Sequence, residues 1–548
     1  MAEQRMNALS WSIRRKPDWE AKLKDPTILA TWRSEAFDAQ KNLQREEKMT
    51  ENMINYVFAE LEVYARLIVP ESGIKHACDD AIFWANRLVS QELTDDLRRE
   101  VAKLEDVPES EKDWHPGSNY QVLDLVHPSL YCIVYGVTRA RDPEKSGVSK
   151  VVAEPRCKGD EAQFMSQKLA WLPSDFAVSG ESTVSLASPY INNVHPSNKG
   201  LISAIEGVLG KFIPMFERVL GAVDREDKPA RQYGTEETYA RIRRVACLWK
   251  NHDNEEPRDY INDDYEESDY AAYPGEDPDE RRLNWYRTMD DLVLPDALPE
   301  YNGALEKYFR LARIRGDTIQ VIVKLANIHL TPDNPEYAGG SWHVEGMLNE
   351  RIVATGIYYY DSENITESQL QFRVSVSGPH YHMQDDNVCM SWVYGITRDM
   401  PLVQDLGAVP TSVGTSLAFP NIYQHCVSPF KLADPTKPGH RKILAFFLVD
   451  PTKRVLSATD VLPQQREWVR DEIALGPASQ SRLGRLPPEL RDMILNHTDG
   501  LMTREDAEKY RAELIEERSQ FVATYNDEIV QLEFNMCEHV RESFLRST

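Results

Sequence analysis

The stretch GGSWHVEGMLNERIVATGIYYY, residues 339–360, decides the interpretation of this chain, and His343 and Glu345 lie at its centre. We predict an extended strand here. On a strand, side chains two apart project to the same side, so the imidazole of His343 and the carboxylate of Glu345 can meet one ion. The stretch therefore predicts two ligands of a metal site.

A third ligand is expected from a histidine further along the chain. His425, in FPNIYQHCVSPF, follows residues 415–420, which predict another strand. Two histidines and one carboxylate on one face leave open coordination positions, which suits non-haem Fe(II) handling O₂. After His425, Arg441 precedes an apolar run at residues 443–449, predicted as a further strand. Its planar guanidinium can hold the far carboxylate of a bidentate co-substrate through two parallel hydrogen bonds.

The order of these residues resembles the Fe(II)/2-oxoglutarate-dependent oxygenases, whose pattern is His-x-acid, a distal His, then Arg or Lys. Within that superfamily the chain resembles a fungal family catalogued as a domain of unknown function. The resemblance is carried by KLANIHLTPDNPEYAGGSWHVEGMLNERIVATGIYYYDSENIT, HPSLYCIVYGVTR and SPYINNVHP. It spans roughly residues 114–460.

The resemblance implies an α+β fold with a double-stranded β-helix (jelly-roll) core and large helical additions at both ends. It also implies one Fe(II) and 2-oxoglutarate as co-substrate, which is decarboxylated to succinate and CO₂ while a substrate is oxidised. The implied metal ligands are His343, Glu345 and His425, and the implied contacts to 2-oxoglutarate are Arg441 and Asn327.

The substrate expectation follows from Glu345, which stands where most of the superfamily carries aspartate. Glutamate occurs there in several oxygenases of free amino acids. We therefore expect a free amino acid, such as valine, that undergoes hydroxylation or oxidative ring closure such as aziridine formation. An intermediate of fungal secondary metabolism is the competing substrate.

Other interpretations stay open. His380 and His382 alternate in GPHYHMQDD and, with Asp385, would suit zinc at least as well as iron, although the glycine, proline and acids of this segment predict a loop. The alternative functions are accordingly a zinc-dependent hydrolase and a non-catalytic cupin-like binding protein. Four other histidines are interpreted as packing or turn residues: His127, His195, His329 and His440.

Hydrophobic periodicity and composition divide the chain into five regions. We expect a helical N-terminal region, a mixed α/β elaboration of the core, an acidic loop or insertion, a jelly-roll catalytic core and a helical C-terminal region. Their respective bounds are 1–113, 114–250, 251–291, 292–463 and 464–548.

Composition excludes several partners. The 548 residues carry a formal net charge of −25 and 41% hydrophobic residues, so the average surface would repel nucleic acid. No apolar run reaches the ~18 residues of a membrane span, and we expect a soluble, cytoplasmic protein whose partners are a small-molecule substrate and O₂. Seven scattered cysteines without a CxxC pair indicate reduced thiols. The oligomeric state is not predicted.

Overall fold

The structure is a computed structural model, and it describes residues 1–44, 47–145, 147–156, 159–223, 294–379, 387–475 and 477–536. The predicted acidic segment 251–291 and the rival residues His380, His382 and Asp385 lie outside these ranges. The described residues combine helices with antiparallel sheets, so the fold is of the α+β class.

The helices concentrate at the two ends of the chain. The α-helices are α1 (Ala2–Arg14), α2 (Trp19–Lys22), α3 (Pro26–Asp38), α4 (Glu51–Leu67), α5 (Gln91–Glu105), α6 (Lys199–Val223), α7 (Ala304–Tyr308), α8 (Asn387–Tyr394), α9 (Arg466–Leu475), α10 (Pro488–Asn496) and α11 (Arg504–Tyr525). Three short 3₁₀ turns and one π-helical turn complete them: Glu109–Glu111, Gly159–Phe164, Pro477–Gln480 and Asn526–Val530.

The strands fall mainly in the middle of the chain. They are β1 (Lys75–His76), β2 (Phe83–Asn86), β3 (Val122–Val126), β4 (Ile133–Val134), β5 (Arg139–Arg141), β6 (Ser149–Val151), β7 (Leu169–Ala170), β8 (Ser174–Val178), β9 (Val184–Leu186), β10 (Thr318–Leu330), β11 (Glu336–Tyr337), β12 (Ile352–Glu363), β13 (Gln369–Ser375), β14 (Val403–Pro410), β15 (Thr415–Pro420), β16 (Gln424–Val427), β17 (Phe430–Lys431) and β18 (Gly439–Val449).

A nine-stranded antiparallel sheet forms the centre of the fold. Its order is β1-β2-β15-β12-β18-β10-β8-β9, and β3 also pairs with β10. The long strands β10, β12 and β18 are apolar on both faces, as expected of strands covered on both sides. Helix α6 packs on one side, which we call the outer face, where Phe212 and Phe216 approach Gly356 so closely that a Cβ there would clash.

A second sheet of three strands, in the order β14-β13-β16, packs against the opposite side of the main sheet. We call this side the inner face. Leu370, Phe372 and Val409 of the small sheet share one buried cluster with Phe419 and Phe447 of the main sheet. The two sheets therefore enclose a common apolar interior.

The structure confirms two of the predicted strands. β15 lies at the predicted residues 415–420, and β18 includes the predicted apolar run. The strand predicted through His343 and Glu345 is wrong, because residues 339–351 form a loop in which His343 makes only an isolated bridge. The regular strand begins after this loop, at Ile352.

The terminal regions are helical but also contribute to the core. The N-terminal region adds β2 to the edge of the main sheet, where it pairs with β15. Helices α1 to α4 bury a cluster of their own. No helix in the described part of the chain is long and apolar enough to cross a membrane.

Candidate metal centre

Two histidines face each other where the loop before β12 meets the small sheet. His343 and His425 form an antiparallel bridge in which each backbone N–H donates to the other's carbonyl, at 3.2 and 3.0 Å. Their ring centroids lie 4.4 Å apart. Strand β16 fixes His425, and the bridge brings His343 beside it.

Glu345 completes a group of three possible ligands. Its Oε1 lies 3.4 Å from Nε2 of His425 and 3.8 Å from Nε2 of His343. One ligand atom from each of the three residues lies within 4.8 Å of the others. The structure thus brings together the three residues predicted as metal ligands.

The charges of the three groups are strongly coupled. Burial alone would raise the pKa of Glu345, but the two imidazoles outweigh it and hold that pKa well below its usual value. Burial would lower the pKa of His343, yet the Glu345 carboxylate raises it. Burial and the neighbouring His343 lower the pKa of His425. The carboxylate is therefore held ionised, as a metal ligand must be.

Backbone groups orient the two residues of the loop. Nδ1 of His343 lies 2.8 Å from the carbonyl of Ser341, which requires an N–H at Nδ1 and leaves the lone pair of Nε2 directed at the cluster. The side chain of Asn421 accepts from the N–H of Glu345 at 2.8 Å and donates to its carbonyl at 2.9 Å. Asn421 thus fixes the loop at its acidic ligand, a role that the sequence analysis missed.

Gly339 allows the loop to approach β16. Its φ is +95°, and a Cβ at this position would lie 2.9 Å from the carbonyl oxygen of Val427. Only glycine adopts this conformation and this contact without strain. Next to it, the N–H of Gly340 donates to the same carbonyl at 3.0 Å.

The turn that follows α11 contacts the site through the side chain of Asn526. Asn526 accepts from the amide of Gln424 at 2.6 Å and donates to the carbonyl of Trp342 at 3.2 Å. Gln424 and Trp342 directly precede the two histidines. The turn after α11 therefore ties together the two segments that carry the imidazoles.

Arg441 lies on the inner face and is only 3% exposed. Its guanidinium packs over the rings of Tyr359 and Phe430, 4.7 and 5.8 Å from their centroids. In the described part of the chain, its Nε and Nη1 have no hydrogen-bond partner and it forms no ion pair. A buried cation without a counter-charge costs several kcal/mol, ~3–5 in order of magnitude, so this position favours an anionic ligand.

Asn327 is not brought to this group. Its Nδ2 donates to Glu105 at 2.7 Å, and its Oδ1 accepts from the hydroxyl of Tyr360 at 3.3 Å. Tyr360 belongs to the buried cluster of the outer face, whereas Tyr359 beneath Arg441 belongs to that of the inner face. The expected contact from Asn327 to 2-oxoglutarate is therefore corrected, because the sheet separates Asn327 from Arg441.

The histidines interpreted as packing or turn residues have partners away from the centre. His440 lies 3.1 Å from a carboxylate oxygen of Asp361, and His329 packs against Trp114. His195 packs against Trp468. Cys426, next to His425, points its Sγ toward the carbonyl of Gly340 at 2.9 Å, and all four described cysteines are free thiols: Cys78, Cys132, Cys389 and Cys426.

A second group of possible ligands, His115, Asp124 and His127, also lies close together. Nδ1 of His115 is 2.7 Å from Asp124, and the backbone N–H of Ser129 donates to Nδ1 of His127 at 3.2 Å. Because Nδ1 of a neutral His127 accepts this hydrogen bond, the proton of the ring lies on Nε2. Neither ring nitrogen then has a free lone pair with which to bind a metal. This group is better explained as a hydrogen-bonded support of β3 than as a metal site.

The residues of the first group fit a catalytic Fe(II). Two imidazoles and one carboxylate on one side of an ion leave coordination positions open for other ligands, and this donor set suits non-haem iron. Nε2 of His343 is free to coordinate, and the side chain of His343 is 33% exposed, which leaves the group accessible. His343, Glu345 and His425 thus lie close enough together to share one ion, while the role of Arg441 stays a prediction.

The site and fold define an α+β protein with a candidate His-x-Glu…His metal centre between two sheets. The chain belongs to the family described as "Protein of unknown function (DUF4246)", which matches residues 51–472. The N-terminal domain of that family, likewise of unknown function, matches residues 1–35.

Comparisons with individual proteins add little. No curated protein matches the chain. Among solved structures, a bsmA homolog from Methylobium petroleophilum PM1 shares 12% identity and a TM-score of 0.15 over 25% of this chain and 43% of its own. The Fe(II)/α-ketoglutarate-dependent dioxygenase TqaL shares 19% identity and a TM-score of 0.17 over 28% of this chain and 51% of its own. The chain thus covers less than two thirds of either, and neither likeness bears on its fold or activity.

Proposed function

We propose that this protein is a non-haem Fe(II)/2-oxoglutarate-dependent oxygenase that oxidises a small molecule, foremost a free amino acid. The observation that carries the proposal is the convergence of His343, Glu345 and His425 within 4.8 Å, on the inner face that also holds Arg441, which forms no ion pair with any residue that the structure describes. We further propose that the two facing sheets are the two sides of a double-stranded β-helix.

In this proposal His343, Glu345 and His425 hold the iron. The chemistry that Fe(II) supplies in this class is the O₂-dependent oxidative decarboxylation of 2-oxoglutarate to succinate and CO₂, coupled to oxidation of a substrate. Arg441 binds the far carboxylate of 2-oxoglutarate, and the rings of Tyr359 and Phe430 hold the guanidinium in place. The apolar residues between the sheets exclude water from the reacting groups.

The experiment is succinate formation by the protein loaded anaerobically with Fe(II), after addition of O₂ and 2-oxoglutarate, with and without a pool of free amino acids. We expect succinate that rises with one member of the pool. Replacement of His343, Glu345 or His425 by Ala should abolish turnover, because each variant removes one of three ligands. His440→Ala serves as the matched histidine control, since His440 pairs with Asp361 instead.

Arg441 has its own test. Arg441→Met should raise the concentration of 2-oxoglutarate needed for half-maximal rate by about tenfold or more, since a charged hydrogen bond is lost. Lys442→Met is the matched control, because the neighbouring Lys442 pairs with Glu105. An unchanged requirement in Arg441→Met would remove Arg441 from the site. Absence of succinate under every condition, with zinc as the bound metal, would favour the hydrolase or binding-protein alternative.

A further inference from the structure

Lys324 lies at the midpoint of β10, the 13-residue strand near the centre of the main sheet. It pairs with Ala445 across the sheet, and Ile322 and Ala445 belong to the buried cluster of the inner face. Because side chains alternate along a strand, Lys324 projects to that same face. Its ammonium therefore points into the space between the two sheets.

The ammonium of Lys324 has no protein partner there. Across the described residues, no hydrogen bond or ion pair involves it, although the residue is largely shielded from water. Lysines at the edge of a sheet can extend to solvent along their aliphatic stem. Lys324 is enclosed by strands on both sides of β10, since β18 flanks one edge and β3 and β8 the other.

The surroundings of Lys324 connect it to the candidate centre. Its positive charge contributes to lowering the pKa of Asp124 and of His127, and it opposes the rise in the pKa of His343. Asp124 lies near enough to offset this charge in part but does not form an ion pair with Lys324, and His115 holds one of its oxygens at 2.7 Å. Lys324 thus lies on the inner face and influences His343 electrostatically, without an ion pair to any described residue.

Within the described ranges, Lys324 and Arg441 are thus two cations of the inner face that form no ion pair. The proposed function assigns one anionic group, the far carboxylate of 2-oxoglutarate, to Arg441. A second anionic group would then match the charge of Lys324. A single ammonium, beside Ala445 on β18 and two residues before Ala326 on β10, matches a monoanion better than a phosphate dianion, which takes several donors.

We propose that Lys324 binds a carboxylate of the substrate that is oxidised, so that the substrate class is a small carboxylic acid, free amino acids included, and neutral molecules are rejected. This inference rests on the proposed function. It makes Lys324 a specificity-determining residue, in addition to the metal ligands and Arg441.

The test compares the wild-type protein with Lys324→Met and with the control Lys442→Met, whose lysine projects to the outer face. Each protein is loaded with Mn(II) and saturated with 2-oxoglutarate without O₂. Binding of the pool of free amino acids, and of the same pool as primary amides, is then measured by equilibrium dialysis. We expect the wild type and Lys442→Met to bind acids in preference to amides, and Lys324→Met to bind the acids about 10–100-fold more weakly.

Turnover provides the second measurement. With Fe(II) and O₂, Lys324→Met should lose the stimulation of succinate formation by the acids while its requirement for 2-oxoglutarate stays unchanged. Equal binding of acids and amides by the wild type, or a changed 2-oxoglutarate requirement in Lys324→Met with unaltered binding of acids, would overturn the inference. Since dialysis needs no turnover, loss of succinate in the wild type would count against the proposed function alone.

A purely structural role for Lys324 predicts something different. If Lys324 served only to neutralise Asp124, Lys324→Met would destabilise the fold and Asp124→Asn would suppress that effect in the double variant. Urea unfolding of the two single variants and the double variant measures this coupling. Strong coupling together with unchanged binding of the acids would overturn the assignment of Lys324 to the substrate.

Discussion

The residues that surround the candidate ligands show how a loop can hold a metal site. Glu345 lies outside regular secondary structure, yet the side chain of Asn421 bonds both its N–H and its carbonyl, and bonds the carbonyl of Ile352 at 3.1 Å as well. Such supporting residues commonly change metal affinity by about 10–100-fold when they are replaced. Asn421 is therefore a positioning residue, which acts through the backbone of Glu345.

Asn421→Ala should weaken metal binding by about tenfold or more. Asn364 offers a matched control, because its side chain likewise bonds several backbone groups, those of Asp434, Lys437 and Pro438, in a different turn. Both variants should lose stability of ~1–3 kcal/mol, since both leave polar groups without partners. Titration with Mn(II) separates them: only Asn421→Ala should bind it more weakly. Equal affinities in the two variants would contradict the positioning role.

How much of the fold could be predicted from the sequence differs from one element to the next. The apolar character of a segment is a local property, so β15 was predicted at its observed bounds. Which face of the sheet each side chain points to could not be predicted in this way. Because β10 is apolar on both faces, its sequence does not tell which side encloses the site, and Asn327 was assigned to the wrong one.

The loop before β12 could not be predicted for a related reason. The spacing of His343 and Glu345 suits a strand, but the conformation is set by contacts with Asn421 and Val427, which are distant in sequence. Gly339 and Gly346, both with positive φ, are local signals of a non-strand backbone. The structure therefore brings the three predicted residues together, and their role as ligands stays a prediction, whereas the element predicted to carry two of them was wrong.

Helix α11 is the element that joins the C-terminal region to the core. Its Arg518 packs over Trp171, 3.7 Å from the ring centroid, and donates to Glu350 at 2.5 Å. The carboxylate of Glu350 is fully buried and also accepts from the N–H groups of Trp171 and Met347. Since Met347 and Glu350 belong to the same loop as His343 and Glu345, this ion pair links the helix to the candidate centre.

Arg518→Met should destabilise the protein by ~3–5 kcal/mol, because the aliphatic stem is kept while the buried carboxylate of Glu350 loses its counter-charge. Arg470→Met removes an exposed ion pair with Asp471 and should cost less than ~0.5 kcal/mol. Urea unfolding measures both changes, and hydrogen exchange should show faster exchange across residues 504–525 in Arg518→Met. A stability equal to that of Arg470→Met would mean that the buried pair does not anchor the helix.

At the scale of the whole molecule, buried histidines make the fold sensitive to acid. Burial is the largest cause that lowers the pKa of His76 to about 4, of His127 to about 3 and of His329 to about 4. In the unfolded chain each would titrate near its ordinary value of about 6.5. As the pH falls below that value, the unfolded state takes up protons that the folded state does not, so stability falls with pH.

The contribution of one buried histidine to this pH dependence of stability can be measured at His127, for which the chain offers a matched control. His127 and His195 both occur in a His-Pro-Ser sequence, and in both the backbone N–H of the serine donates to Nδ1, but only the ring of His127 is buried. Asparagine can replace that acceptor and does not titrate. His127→Asn should therefore lose ~1.4 kcal/mol less stability per pH unit than the wild type as the pH falls from about 6 to 4.

His195→Asn is the matched control, because the ring that this substitution removes is in contact with solvent. The measurement is the free energy of urea unfolding at several pH values across this window. Asp124, whose pKa burial would raise but whose neighbours His127 and His115 lower to about 2, adds a loss of the same sign that begins near pH 5, where the carboxyl group of the unfolded chain starts to take up protons. The difference between the two variants above about pH 5 thus reports His127 itself, and identical slopes would show that its ring accepts a proton without unfolding.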